Sequence, residues 1–172
     1  MRMMDVVAYD EAWPIMFDAE KAILMQIMGE IATDIQHFGS TAVPGLAAKP
    51  IIDILVLVEN IEYVDNLNAA MCAGGYEAFG EFGIKGRRYF VRPKDDNSGN
   101  HSHHVHIYGH NDAPAKELAF RDFLRTNAAA RAQYAALKIK LSQEFYADPS
   151  GYTVGKTACI EEILSRLASI DT

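Results

Sequence analysis

The sequence predicts an α+β chain in which a small mixed sheet with flanking helices comes first and a helical layer forms the C-terminal part. Two observations carry this. Strand-like stretches, above all the apolar run Ile51 to Val58, all lie ahead of Pro114, interleaved with helical spacing. Beyond Pro114 every apolar pattern repeats near the helical period.

With 172 residues and 49% hydrophobic content, the chain is long enough for one buried core and short for two, so a single domain over residues 1–172 is expected. Sixteen Lys plus Arg against 23 Asp plus Glu give a net charge of -7, which argues against broad nucleic-acid or anionic-membrane binding. Any anion site must be local. Cys72 and Cys159 stand far apart inside helical patterns, predicting buried free thiols rather than a metal pair or a disulfide. The start Met-Arg-Met-Met-Asp lacks an apolar signal core, and no apolar run reaches the ~18 residues of a membrane span, so a cytoplasmic protein is expected.

Taken in order, Pro14 suits the first turn of a helix whose apolar positions are Ile15, Met16, Ala19, Ala22, Ile23 and Ile27, weakened at Gly29. Thr33 to Phe38 alternates as a strand, with Ile35 and His37 on one face. Thr41 to Pro50 reads as a compact turn, and Ile51 to Val58 as a central strand. Asn60 caps a helix that Gly74 and Gly75 end. Tyr76 to Phe79 and Arg87 to Arg92 flank a glycine-rich connection as a hairpin would, and His103 to Tyr108 resumes a strand. Three helices follow, the last after Asp148-Pro149, with Thr153 as its expected cap. Gly151 to Thr157 superficially matches a P-loop, but it has three residues between its glycines and no strand before it.

Four features point to chemistry. The Gly39-Ser40 turn follows a strand, where glycine lets a phosphate approach backbone N–H groups and serine adds a donor, and Lys49 adds a charge. Asp53 is the one early charge in the central strand, and an ionised carboxylate there needs a partner such as a divalent ion. His104 and His106 share one strand face and are suited to bind a metal, contact phosphate oxygens or move a proton. Arg87 and Arg88 point to opposite faces, and Arg88 is taken as the phosphate contact. Each has a plain structural alternative: a backbone turn, a hydrogen-bonded strand histidine or a solvated ion pair. Arg121 and Arg125, four apart on a helix, are expected to form structural ion pairs.

The stretch His37-Phe-Gly-Ser-Thr-Ala-Val-Pro-Gly-Leu-Ala-Ala-Lys-Pro-Ile-Ile-Asp-Ile, with His104-Val-His106, Phe120 to Arg125, Tyr134 to Lys138 and Lys156-Thr-Ala, resembles the GrpB family of the nucleotidyltransferase-like superfamily. The resemblance implies a polymerase-β-like fold in which Gly39 and Ser40 grip nucleotide phosphates and Asp53 binds Mg²⁺. Where that pattern has a second acid, two residues on, this chain has Leu55. Two-metal transfer needs several carboxylates to hold ions ~3.5–4 Å apart. The expected function is therefore a metal-dependent nucleotidyltransferase acting on a small molecule, with Asp53 and His104 or His106 at its centre. The alternatives are an inactive domain binding a nucleotide or phospholigand, linked to coenzyme A metabolism by kinase fusions in the family, and a histidine-centred metal hydrolase.

Overall fold

The computed structural model describes residues 5–96 and 98–170; the reading of the first four residues lies outside it. The chain divides into two compact units: Glu11–Phe38 with Ile51–Ala113, and the described parts of Met1–Asp10, Gly39–Pro50 and Pro114–Thr172.

The first unit is built on a five-stranded mixed sheet of order β1-β2-β5-β4-β3. Its strands are β1 (Ala32–Phe38), β2 (Ile52–Val58), β3 (Glu77–Ala78), β4 (Arg87–Pro93) and β5 (His101–Gly109). β2 runs antiparallel to β1 and parallel to β5, which is antiparallel to β4. The apolar run is therefore a central strand, with Ile52, Ile54, Leu55, Val56 and Val58 all buried, as a strand covered on both sides requires. The expected hairpin forms, but β3 shortens to two residues.

Helix α1 (Ala12–Met28) buries Trp13, Glu20, Leu24 and Met28, not the predicted stripe: Ile15 and Met16 are exposed. The helix is apolar on several sides, so spacing alone permits two stripes. The stripe that packs inward carries a carboxylate. Glu20 accepts a hydrogen bond from Tyr76 Oη at 2.5 Å and pairs with Arg92 Nε at 2.7 Å, which is what makes its burial tolerable. Asn60 accepts from Glu62 N and so caps the expected segment, which begins as a 3₁₀ turn before α2 (Asn68–Ala73). Met71 on α2 is buried while neighbouring Cys72, a helical step round, is exposed; Cys72 and half-buried Cys159 are both free.

The second unit holds α3 (Ala115–Thr126), α4 (Ala128–Glu144), α5 (Pro149–Gly155) and α6 (Thr157–Ile170). Val43, Leu46, Leu124, Ala130, Tyr134 and Ile163 form its main core, and Leu141 with Tyr152 a second cluster. The third predicted helix is two: Asp148, not Thr153, caps α5 by accepting from Ser150 N and Gly151 N, and the P-loop look-alike runs from α5 across Lys156 to the start of α6. Arg121 and Arg125 both pair with Asp122, and Arg125 Nε also donates to Ala42 O at 2.9 Å. Among the described residues, no helix is long and apolar enough to cross a membrane.

Candidate metal and ligand site

Sheet register brings Asp53 together with two histidines. In the parallel β2–β5 pairing Asp53 lies beside His104 and Leu55 beside His106, so these side chains share one face, the other being that of His103, Val105 and Ile107. His104 Nδ1 is 3.2 Å and His106 Nε2 3.6 Å from Asp53 Oδ1. The Asp53 side chain is 28% exposed and the imidazoles somewhat less. Burial alone would raise the Asp53 pKa, but the hydrogen bonds and charge of His104 and His106 outweigh it and hold the carboxyl well below the ordinary carboxylate range.

A shell of aromatic and cationic groups surrounds the cluster. Tyr89 lies beside His106 on the same face, its ring centroid 5.5 Å from that of His104 and 5.0 Å from that of His106. Phe38 meets His106 edge-on at 5.6 Å. Arg87, buried, sits 4.8 Å over the Tyr89 ring and donates from Nη1 to His106 Nδ1 at 3.4 Å. His101 Nδ1 is 3.1 Å from His104 Nε2.

Donor atoms of Asp53, His104 and His106 all lie within 4.8 Å of one another, a spacing that suits one ion. Their protons suit it unequally. A guanidinium has no acceptor, so Arg87 fixes the lone pair of His106 on Nδ1 and the proton on Nε2. Nε2 is buried and faces Asp53 Oδ1 at 3.6 Å, so its proton is held only by that long contact with the carboxylate. Asp53 fits a cation as it stands; His104 and His106 would ligate through the nitrogens that face Asp53 once the protons those nitrogens give to the carboxylate leave. A carboxylate with imidazole suits Mn²⁺ or Zn²⁺ better than Mg²⁺, which prefers oxygen ligands. Leu55 offers nothing further: it is fully buried.

The other predicted residues are placed elsewhere. Arg88 is on the opposite face, paired with Asp65 at 2.6 and 2.9 Å, so alternation was right about the two arginines but the β4–β5 register turns Arg87, not Arg88, toward the histidines. Gly39, Ser40 and Lys49 belong to the second unit. Gly39 has φ 66°, the left-handed conformation that glycine adopts without strain, and Ser40 opens a 3₁₀ turn and hydrogen-bonds Tyr134. Lys49 Nζ lies 5.0 Å from the Tyr152 ring centroid, Lys156 Nζ 4.6 Å from the same ring, and Lys138 Nζ 4.9 Å from the Tyr134 ring. Lys138 is 2% exposed and its Nζ has no hydrogen-bond partner. Burial, then Lys156 and Lys49, pull its pKa down to about 7. Sequence reading took Arg88 rather than Arg87, and gave no site role to Tyr89 or Lys138; a lysine in an amphipathic helix reads as solvated.

The GrpB protein family profile matches residues 3–166. The chain belongs to the GrpB family. Glutamate-rich protein GrpB of Alkalihalophilus pseudofirmus is 35% identical over 94% of each chain. The UPF0157 protein YqkA of Bacillus subtilis is 40% identical over 93% of this chain, which spans only 46% of YqkA. A dephospho-CoA kinase of Mycolicibacterium paratuberculosis is 28% identical over 88% of this chain, which spans 42% of that enzyme. The crystal structure of GrpB from Enterococcus faecalis superposes with a TM-score of 0.86 at 41% identity, covering 94% of this chain and 96% of that one. A Cid1 poly(U) polymerase structure with Mg 3'-dATP bound superposes at 0.59 with 13% identity, covering 87% of this chain and 49% of Cid1. The fold is thus nucleotidyltransferase-like, as the GrpB resemblance implied.

Proposed function

We propose that this GrpB-family chain binds a nucleotide and a divalent ion and transfers a nucleotidyl group to a small-molecule acceptor. The convergence of Asp53, His104 and His106 on one sheet face is the observation that carries this reading. Asp53 and His104 would hold the ion, which when bound would supply a Lewis acid for a phosphoryl oxygen. Asp53 stays ionised across the neutral range, so it is ready as a ligand. His106, its Nδ1 engaged by Arg87, faces Asp53 with Nε2 and would donate from there to a phosphoryl oxygen placed beside the carboxylate. In the other unit the Lys138, Lys49 and Lys156 cluster, with the Gly39-Ser40 turn, is suited to phosphate: a buried ammonium among lysines and tyrosines calls for an anion. Mg²⁺ in this reading comes with the nucleotide's own phosphate oxygens. A nucleotide ligand fits a cytoplasmic setting and one functional domain over the whole chain.

A second reading is favoured by Leu55: with one carboxylate on the strand, the domain binds a nucleotide or phospholigand without turnover, and the similarity to part of a dephospho-CoA kinase suits a ligand from coenzyme A metabolism. The test incubates the protein with α-³²P-labelled nucleotides, Mg²⁺ or Mn²⁺ and a panel of hydroxyl, amine and phosphate acceptors. Transfer that Asp53→Asn abolishes supports the first reading; binding without transfer supports the second; neither binding nor transfer refutes both.

A further inference from the structure

The connection from β3 to β4 holds an exposed aromatic pair in a costly backbone conformation. Phe82 is 60% exposed, Phe79 41% and Ile84 46%. Phe82 has φ 44°, the one non-glycine residue with positive φ among those described, which a bulky side chain adopts only under constraint. The constraint is visible. Arg87 Nη2 donates to Phe82 O at 2.8 Å and Arg87 Nε to Glu81 O at 3.2 Å, and Glu81 Oε1 accepts from Gly86 N at 2.8 Å. Arg87 is also the residue that donates to His106. One buried guanidinium therefore fixes both the loop and the candidate reaction centre.

The rings pack on one another while Phe82 stays largely exposed. Phe82 lies flat on Tyr89, with centroids 5.1 Å apart and planes 13° apart, and Phe79 meets it edge-on at 5.4 Å. Tyr89 covers one face of the Phe82 ring while the side chain as a whole stays largely exposed. Through Tyr89 the patch is continuous with His104 and His106. We propose that Phe82, backed by Tyr89 and edged by Phe79, is a stacking platform for a planar aromatic ring, either the base of the nucleotide or a ring on the acceptor. Flat packing on Tyr89 favours a ring over an aliphatic chain. Its proximity to the transferred group rests on the function proposed above; the stacking itself requires neither metal nor turnover.

The test measures binding of adenosine, uridine, nicotinamide and tryptamine, with ring-free tripolyphosphate as control, to the full chain in EDTA. Variants are Phe82→Ala, Phe82→Gly and Phe82→Trp. Phe82→Gly removes the ring and also the positive-φ strain, so that loss of binding by this variant is not loss of fold. At least one ring probe should bind the wild type, tenfold or more weaker to Phe82→Ala and Phe82→Gly, and within about threefold of wild type to Phe82→Trp, with quenching of the new indole. Tripolyphosphate binding should be equal in all four proteins. Nucleoside binding identifies the base as occupant; binding of nicotinamide or tryptamine alone identifies the acceptor ring. Ring probes that fail to bind the wild type, or that bind Phe82→Gly as tightly, overturn the proposal. Because metal is absent, that result is separate from failure of transfer at Asp53.

Discussion

Arg87 donates to His106 Nδ1 at 3.4 Å, and this contact decides which nitrogen of the imidazole faces Asp53. Because arginine only donates, the proton of neutral His106 is placed on Nε2. Long-range ¹H–¹⁵N spectra of the protein should therefore show the Nε2–H tautomer for His106, and Arg87→Met should give a mixture. The same variant leaves the carbonyls of Glu81 and Phe82 without their donor, so it should also lose about 1–3 kcal/mol in denaturant unfolding. An Nδ1–H tautomer in the wild type would contradict the assigned role of His106.

Lys138 gives a stability prediction with a definite sign. Its pKa falls from 10.5 to about 7 on folding, so between these values the unfolded chain holds a proton that the folded chain does not. The stability of the wild type relative to Lys138→Met should rise from about pH 7 to about pH 10, at up to ~1.4 kcal/mol per unit, and be flat below pH 7. At pH 7 the Met variant should be the more stable protein yet bind tripolyphosphate at least tenfold more weakly. A variant that is no more stable, and that binds the anion as well as wild type, would show that Lys138 is solvated instead.

Glu20 should behave as a residue of the fold alone. Removing it strips Tyr76 and Arg92 of their buried partner, and Glu20→Ala should cost about 2–4 kcal/mol in chemical unfolding. Metal and anion affinities of the folded variant should stay within about twofold of wild type. A selective loss of metal binding would tie Glu20 to the site.

The contrast between Glu20 and Asp53 also shows what a sequence can disclose. Asp53 stood out because a charge interrupts an apolar strand, and alternation put His104 and His106 on one face; pairing with β2 needed only parallel register to bring them within reach. Arg87 and Arg88 were separable by alternation, but which one faced the histidines depended on the β4–β5 register, which is a property of strand pairing and not of either strand. In α1 the apolar content left the inward stripe undetermined, so Glu20 passed unnoticed among residues expected to be solvated. Lys138 was hidden for a related reason: only tertiary packing distinguishes a buried lysine from the many that cover helix surfaces.

The central claim is that Asp53 anchors a divalent ion that serves a bound nucleotide. It is tested most directly by titrating Mn²⁺ into wild type and Asp53→Asn, with and without a non-hydrolysable nucleoside triphosphate, and following free Mn²⁺ by electron paramagnetic resonance. The wild type should take up at least one ion more tightly when nucleotide is present, and Asp53→Asn should lose tenfold or more of that affinity while unfolding at a similar temperature. Equal Mn²⁺ uptake by the two proteins in the presence of nucleotide would contradict the account.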